Sequence, residues 1–96
     1  MINLEVVRGQ IITVLYVVHP QHLSEKLLHS ELVMLGVTVD RDTLVSEVAY
    51  LRDKKYVESE ERKAPGKLRG RMWVHRLTAR GKDLYEGNET DKTVTL

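Results

Sequence analysis

A run of cationic side chains is the most informative chemistry in this sequence. From Arg62 to Lys82 there are eight Lys or Arg residues and neither Asp nor Glu. Cations set against phosphates release condensed counterions, so a run of this kind favours a polyanionic partner. The alternative is a solvated hairpin whose charges only keep the chain soluble. The cations expected at the tip and flanks of that hairpin are Arg62, Lys63, Lys67, Arg69 and Arg71.

Other kinds of site find little support in the residue types. The chain has no cysteine, which removes disulfides, thiolate nucleophiles and cysteine-based zinc sites. His22, Glu25 and His29 have the three- and four-residue spacing of a helical metal site, but His22 is expected in the loop before the helix. No Gly-rich phosphate loop, nucleophile motif or carboxylate pair is visible. We therefore predict that the protein is not an enzyme and has no metal site and no cofactor.

Length and composition indicate a single domain of ordinary globular type. The chain has 96 residues, of which 42% are hydrophobic and 30% charged. Its longest apolar stretch, Ile11 to Val18, is far shorter than a membrane span of about 20 residues. Residues 1–48 carry three basic and six acidic side chains, whereas residues 49–96 carry twelve basic and eight acidic ones. We expect a cytoplasmic protein that does not enter the membrane and whose positive charge lies in its second half.

Three helices are predicted in the first half of the chain. Apolar residues recur at three- and four-residue steps from about Asn3 to Val18, and the following His19-Pro20 pair ends that helix. Ser24 caps a second helix that runs to Leu35. Asp40 caps a third helix that ends near Lys54.

The period changes from helix to strand after the third helix. Residues 56–62 and Arg71 to Leu77 are predicted as two strands of a hairpin, joined by a Pro65-Gly66 turn region that ends at Gly70. Thr78 then caps a short last helix. The predicted fold class is mainly α with a small antiparallel β-hairpin (α+β). Residues 1–87 form the single domain, and residues 88–96 are expected to form a flexible tail.

The first helix has more apolar residues than one small core needs. Those outside its main stripe are Val6, Ile12, Tyr16 and Val17. They form either a subunit interface or a surface that the C-terminal helix covers. In the hairpin, Trp73 shares a strand face with His75 and Leu77, which favours packing over a base-stacking role.

The order of elements resembles a winged helix-turn-helix domain. Residues 39–58 resemble the recognition-helix-into-wing segment of small bacterial or phage transcriptional regulators of the MarR, PadR and ArsR type. The segment Leu77-Thr78-Ala79-Arg80-Gly81-Lys82-Asp83-Leu84 resembles their strand exit, in which a Leu-Thr pair precedes a helix with glycine in its first turn. One departure is Lys55, where these families usually have a glycine with left-handed φ and where another residue costs about 1 kcal/mol.

The resemblance implies a DNA-binding transcriptional regulator that acts as a homodimer, paired through the N-terminal helix, on two half-sites of double-stranded DNA. Its third helix would lie in the major groove and its basic wing on the backbone or in the minor groove. The side chains expected to contact DNA from the third helix are Arg41, Thr43, Ser46 and Tyr50.

An alternative function rests on acidic residues of the same third helix. Asp42 and Glu47 are expected at exposed positions, which makes this helix rather acidic. The alternative is therefore a winged-helix protein–protein interaction module that binds a basic partner without DNA.

Overall fold

The structure, a computed structural model, describes residues 2–64 and 70–96. Within these residues the chain forms four helices and a three-stranded antiparallel sheet. The elements in chain order are α1 (Leu4–Val18), β1 (Leu23–Ser24), α2 (Glu25–Met34), α3 (Arg41–Asp53), β2 (Val57–Lys63), β3 (Arg71–Leu77) and α4 (Ala79–Tyr85). The predicted fold class is confirmed, and the helices and the hairpin lie close to their expected bounds.

Side-chain caps fix where the helices begin. Asp40 accepts a hydrogen bond from the backbone N–H of Thr43 at 2.7 Å. Ser24 and Thr78 cap α2 and α4 in the same way, each accepting from a backbone N–H three residues on. These bonds satisfy donors that have no partner inside the helix. All three caps were predicted from the sequence.

Lys55 ends α3 in the left-handed conformation. Its φ is 70°, which an L-residue other than glycine rarely adopts. The next residue, Tyr56, donates its backbone N–H to the carbonyl of Leu51 at 3.0 Å and so closes the helix end. The backbone therefore keeps the shape expected of a glycine at this position, although lysine occupies it.

The hairpin β2–β3 is completed by a third strand that the sequence did not predict. The strand order is β1-β3-β2, with Leu23 of β1 opposite His75 and Ser24 opposite Val74. Two residues are too few to show the alternating pattern of a strand, so the sequence carries no signal for β1. This pairing ties the beginning of α2 to the central strand.

The core surrounds α1 and corrects one predicted interface residue. Ile12 was expected at a subunit interface, but its exposure is 0% and it packs in the chain's own core. Tyr16 stacks on Tyr85 of α4 with ring centroids 4.0 Å apart, so the C-terminal helix covers this side chain. Val6 is partly exposed, and Val17 is 77% exposed.

The segment after α4 is packed, so the expectation of a flexible tail over residues 88–96 was wrong for its last part. Val94 belongs to the hydrophobic core, and the backbone N–H of Thr95 donates to the carbonyl of Glu5 at 2.9 Å. Gly9 makes this approach possible, because a Cβ there would overlap the Thr95 carbonyl. The composition of the tail is polar, but its polar groups find hydrogen-bond partners on α1 and α3.

Asp91 is the main polar anchor of that segment. Its carboxylate accepts hydrogen bonds from Lys54 Nζ at 2.7 Å and from the Tyr56 hydroxyl at 2.8 Å. Burial, together with the bond to Asp91, raises the pKa of Tyr56 to about 12. Thr93 adds a hydroxyl bond to the other Asp91 oxygen at 2.6 Å. The C-terminal segment thereby holds the end of α3.

Candidate nucleic-acid interface

The exposed face of α3 carries most of the predicted helix residues. Leu44, Glu47, Val48 and Leu51 form its buried face. The residues on the solvent side are Arg41, Asp42, Val45, Ser46, Arg52 and Asp53, with Thr43 and Ala49 partly exposed. Arg41, Thr43 and Ser46 thus lie in the first half of α3, all with exposed surface.

Tyr50 lies seven residues after Thr43 and therefore on the same side of α3, but its side chain contacts other parts of the protein. Its hydroxyl donates to Thr93 Oγ1 at 2.8 Å, and the Arg8 guanidinium lies 3.8 Å from its ring centroid. The aromatic ring is therefore held between α1 and the C-terminal segment. These intramolecular contacts compete with the DNA contact of Tyr50 that the sequence predicts.

Glu47 was expected at the surface, and the structure corrects this. Its exposure is 5%, and its carboxylate accepts a hydrogen bond from Arg8 Nε at 2.7 Å. The sequence signal was present, since Leu44, Glu47 and Leu51 follow the three- and four-residue steps of an inward stripe. A buried carboxylate is acceptable there only because Arg8 of α1 pairs with it. The exposed face of α3 is consequently less acidic than expected.

The hairpin is less positive than its basic run indicates. Acidic residues of β2 pair with cations of the run. The strand pairing brings Arg71 to Glu61 and Arg76 to Glu58, and Arg62 pairs with Glu60 of its own strand. Exposed ion pairs of this kind contribute only about 0–1 kcal/mol, so a phosphate can compete for the same arginines.

Three further cations of the wing were predicted, and one of them lies within the described residues. Lys63 is exposed at the end of β2, opposite Arg71. Lys67 and Arg69, the two cations expected at the tip, lie outside the described residues.

A cleft separates α3 from the hairpin. Its volume is about 360 Å³, and its lining includes Val45 and Arg52 of α3 and Trp73 and His75 of β3. Trp73 was expected to pack in the core, but it is 43% exposed. Trp73, His75 and Leu77 share one face of β3, and Leu77 and His75 are buried. Trp73 lies two residues beyond His75 toward the tip of the hairpin, where the core no longer covers this face. Arg52 was not predicted, although it lies seven residues after Val45 and thus on the same helical face.

One solved structure shows how these elements are arranged in a known protein. The crystal structure of Bacillus subtilis PadR in complex with operator DNA matches this chain with a TM-score of 0.71 at 19% sequence identity. The match covers 96% of this chain and 54% of that chain. The chain has a PadR-like winged-helix fold. It spans about half the length of the PadR chain. No family model and no curated protein matches the sequence.

In this winged helix, a polar network joins the wing (β2–β3) to the third helix, with His75 and Glu25 buried and Arg41 exposed. Arg41 donates from Nε and from a terminal nitrogen to Glu25 Oε2, both at 3.2 Å. The other Glu25 oxygen lies 3.3 Å from His75 Nε2, and His75 Nδ1 lies 2.8 Å from the Ser59 hydroxyl. Burial lowers the pKa of His75, against the opposing effect of the Glu25 carboxylate. The network holds the Arg41 guanidinium against Glu25 of α2.

The histidines considered as metal ligands are not brought together around Glu25. His29 Nε2 lies 2.7 Å from the Val39 carbonyl, whereas His22 lies beside Arg62 and Glu60 on the wing. No set of three or more His, Cys, Asp or Glu residues with metal-binding geometry occurs in residues 2–64 and 70–96. Nor is any helix in these ranges long and apolar enough to cross a membrane.

Proposed function

We propose that this protein binds double-stranded DNA and acts as a transcriptional regulator. The observation that carries the proposal is the placement of cations in two adjoining clefts between the wing and the helices α2 and α3. Arg52 of α3 lines the first cleft, and Arg41 of α3 and Arg71 of the wing line the second. In winged helices of this order the third helix enters the major groove while the wing approaches the backbone or the minor groove. The fold likeness to PadR, whose structure contains operator DNA, supports the same assignment.

The charges of α3 are compatible with this partner. Arg41 and Arg52 can each pair with guanine or with a phosphate, and the hydroxyls of Thr43 and Ser46 can serve several bases. Asp42 can accept a hydrogen bond from cytosine N4. The protein-interaction alternative needs an acidic helix, and burial of Glu47 against Arg8 removes one of the two carboxylates on which it depended.

We also propose that the regulator acts as a homodimer in the cytoplasm. Val17 is the predicted interface residue of α1 that is exposed, and Val6 and Tyr16 are partly exposed. Val17 borders an apolar groove of about 380 Å³ between α1 and α2, which also includes Leu35. Light scattering at micromolar concentration should give twice the monomer mass, and Val17→Glu should restore the monomer. A native monomer at that concentration would refute the dimer.

Fluorescence anisotropy of a labelled random-sequence duplex across a salt series tests the function without knowledge of the operator. We compare the native protein with Lys67→Glu/Arg69→Glu and with Lys82→Glu/Lys92→Glu. The last variant changes the net charge equally at two exposed positions outside the wing. Each phosphate contact contributes about 0.9 to the slope of log affinity against log salt. We expect the wing variant to lose about two contacts and the control to keep the native slope.

Two results of this titration would contradict the proposal, one for the wing and one for DNA binding. If native protein binds and both variants weaken equally, net charge alone matters and the wing is not a phosphate contact. If the native protein binds no duplex even at low salt, DNA is not the partner.

A further inference from the structure

The middle of the exposed α3 face is apolar, where a base-reading helix often has amide or charged side chains. Val45 is 44% exposed, and Ala49, one turn later, is partly exposed. Trp73 faces Val45 from the wing across the cleft that both residues line. We refer to Val45, Ala49 and Trp73 as the apolar patch. Leaving such side chains in water has no benefit for folding, because none of them closes the core.

Cations border the apolar patch on the side of the cleft, whereas Asp42 and Asp53 lie on its other side. Arg52 lines the same cleft as Val45 and Trp73. Arg41 and Arg71 line an adjoining cleft that also has Trp73 in its wall. A partner that fits this arrangement offers an apolar group framed by negative charge. In duplex DNA that group is the 5-methyl of thymine, which is exposed in the major groove between the phosphate backbones.

We propose that Val45 reads thymine by packing against its 5-methyl group in the major groove. Ala49 has a small side chain that lets the base edge approach the helix, and Trp73 provides the wall that keeps water from the contact. Arg41 and Arg52 hold the flanking phosphates or guanines. The inference rests on the proposed function, because it requires α3 to lie in the major groove. It adds which base the middle of α3 selects.

The proposal requires a preferred sequence with thymine at a fixed position in each half-site. Burying one methyl group contributes a factor of about four to affinity. Replacing that thymine by deoxyuridine removes only the methyl and keeps the base pairing. The native protein should therefore bind the deoxyuridine duplex about fourfold more weakly, with no loss when other thymines are replaced.

The experiment selects bound duplexes from a random library and then replaces each thymine of the selected sequence by deoxyuridine, one at a time. Native protein, Val45→Ala and Val33→Ala are titrated with each duplex. Val33 is an exposed valine of α2 outside the clefts and serves as the matched control. We expect Val45→Ala to bind the thymine and deoxyuridine duplexes equally, whereas Val33→Ala keeps the native fourfold difference. This cycle isolates the contact between one side chain and one methyl.

The outcomes distinguish the inference from the function it rests on. Tight, salt-dependent binding with no effect of any deoxyuridine, or with an effect that Val45→Ala retains, overturns the thymine contact and leaves DNA binding in place. Selection without any fixed thymine overturns it too. Absence of binding to every duplex refutes the proposed function together with the inference.

Discussion

Replacing Glu47 by leucine should strongly destabilise the fold, because it leaves the Arg8 guanidinium buried without its carboxylate. The two groups are 2.7 Å apart, and their side chains are 14% and 7% exposed. Arg8 would keep a hydrogen bond of 3.1 Å to the Thr93 carbonyl and its position over the Tyr50 ring. Neither contact supplies a negative charge.

The expected cost is about 3 kcal/mol. Removing one member of a buried ion pair typically costs about 3–5 kcal/mol, and the remaining contacts of Arg8 place this case at the low end. Domains of this size have a free energy of unfolding of about 5–15 kcal/mol. Their melting temperature falls by about 4–8 °C for each kcal/mol of that free energy that is lost. The melting temperature should therefore fall by roughly 12–24 °C.

Urea unfolding followed by circular dichroism measures the effect, with the variants Glu47→Leu, Arg8→Met and the double variant. The midpoint should fall in each single variant while the slope of free energy against urea stays constant. The double variant should recover to within about 1 kcal/mol of the native protein, since two apolar groups replace the pair. Asp42→Asn, an exposed carboxylate on the same helix, is the control and should change stability by under about 1 kcal/mol.

A small effect would refute the reasoning. If Glu47→Leu is no more destabilising than Asp42→Asn, the carboxylate is solvated and α3 presents an acidic surface. The protein-interaction alternative would then regain its main support.

Three further predictions concern the backbone and the C-terminal segment. Lys55→Gly should raise the free energy of unfolding by about 0.5–1 kcal/mol, because glycine adopts a φ of 70° without strain; an equal or lower urea midpoint contradicts this. Gly9→Ala should cost about 1–3 kcal/mol and expose the segment at Thr95 to proteolysis, since the new methyl overlaps that carbonyl; unchanged protease resistance contradicts it. Burial disfavours the charge of Asp91, yet hydrogen bonds led by Lys54 hold the pKa of this carboxyl below its ordinary range. Because the pKa of Asp91 is lower in the folded state than the value of about 3.9 in the unfolded chain, the charged carboxylate stabilises the fold at pH values above about 3.9. This stabilisation is lost as the pH falls toward the folded-state pKa. Asp91→Asn should therefore cost about 2 kcal/mol at pH 7, and the difference from the native protein should shrink below about pH 4; a pH-independent difference contradicts the charge-based account.

Sequence reasoning located the helices and the hairpin because their signals are local. Apolar spacing, the caps at Ser24, Asp40 and Thr78, and the return strand Arg71–Leu77 each depend on residues a few positions apart. The winged-helix order followed from these elements alone. For the site, the same signals placed Arg41 and Ser46 near the beginning of the third helix.

The tertiary structure decided which charges and apolar groups face outward. Glu47 is removed from the surface by Arg8, which lies 39 residues earlier in the chain. The basic run is partly neutralised by glutamates across the strand register, and the polar tail is held by α1 and α3. Trp73 is exposed because the hairpin extends beyond the core. Whether a side chain is buried or paired depends on groups that are far away in the sequence, and its neighbours along the chain do not show it. A helix or a cap, in contrast, is set by hydrogen bonds between residues three or four positions apart.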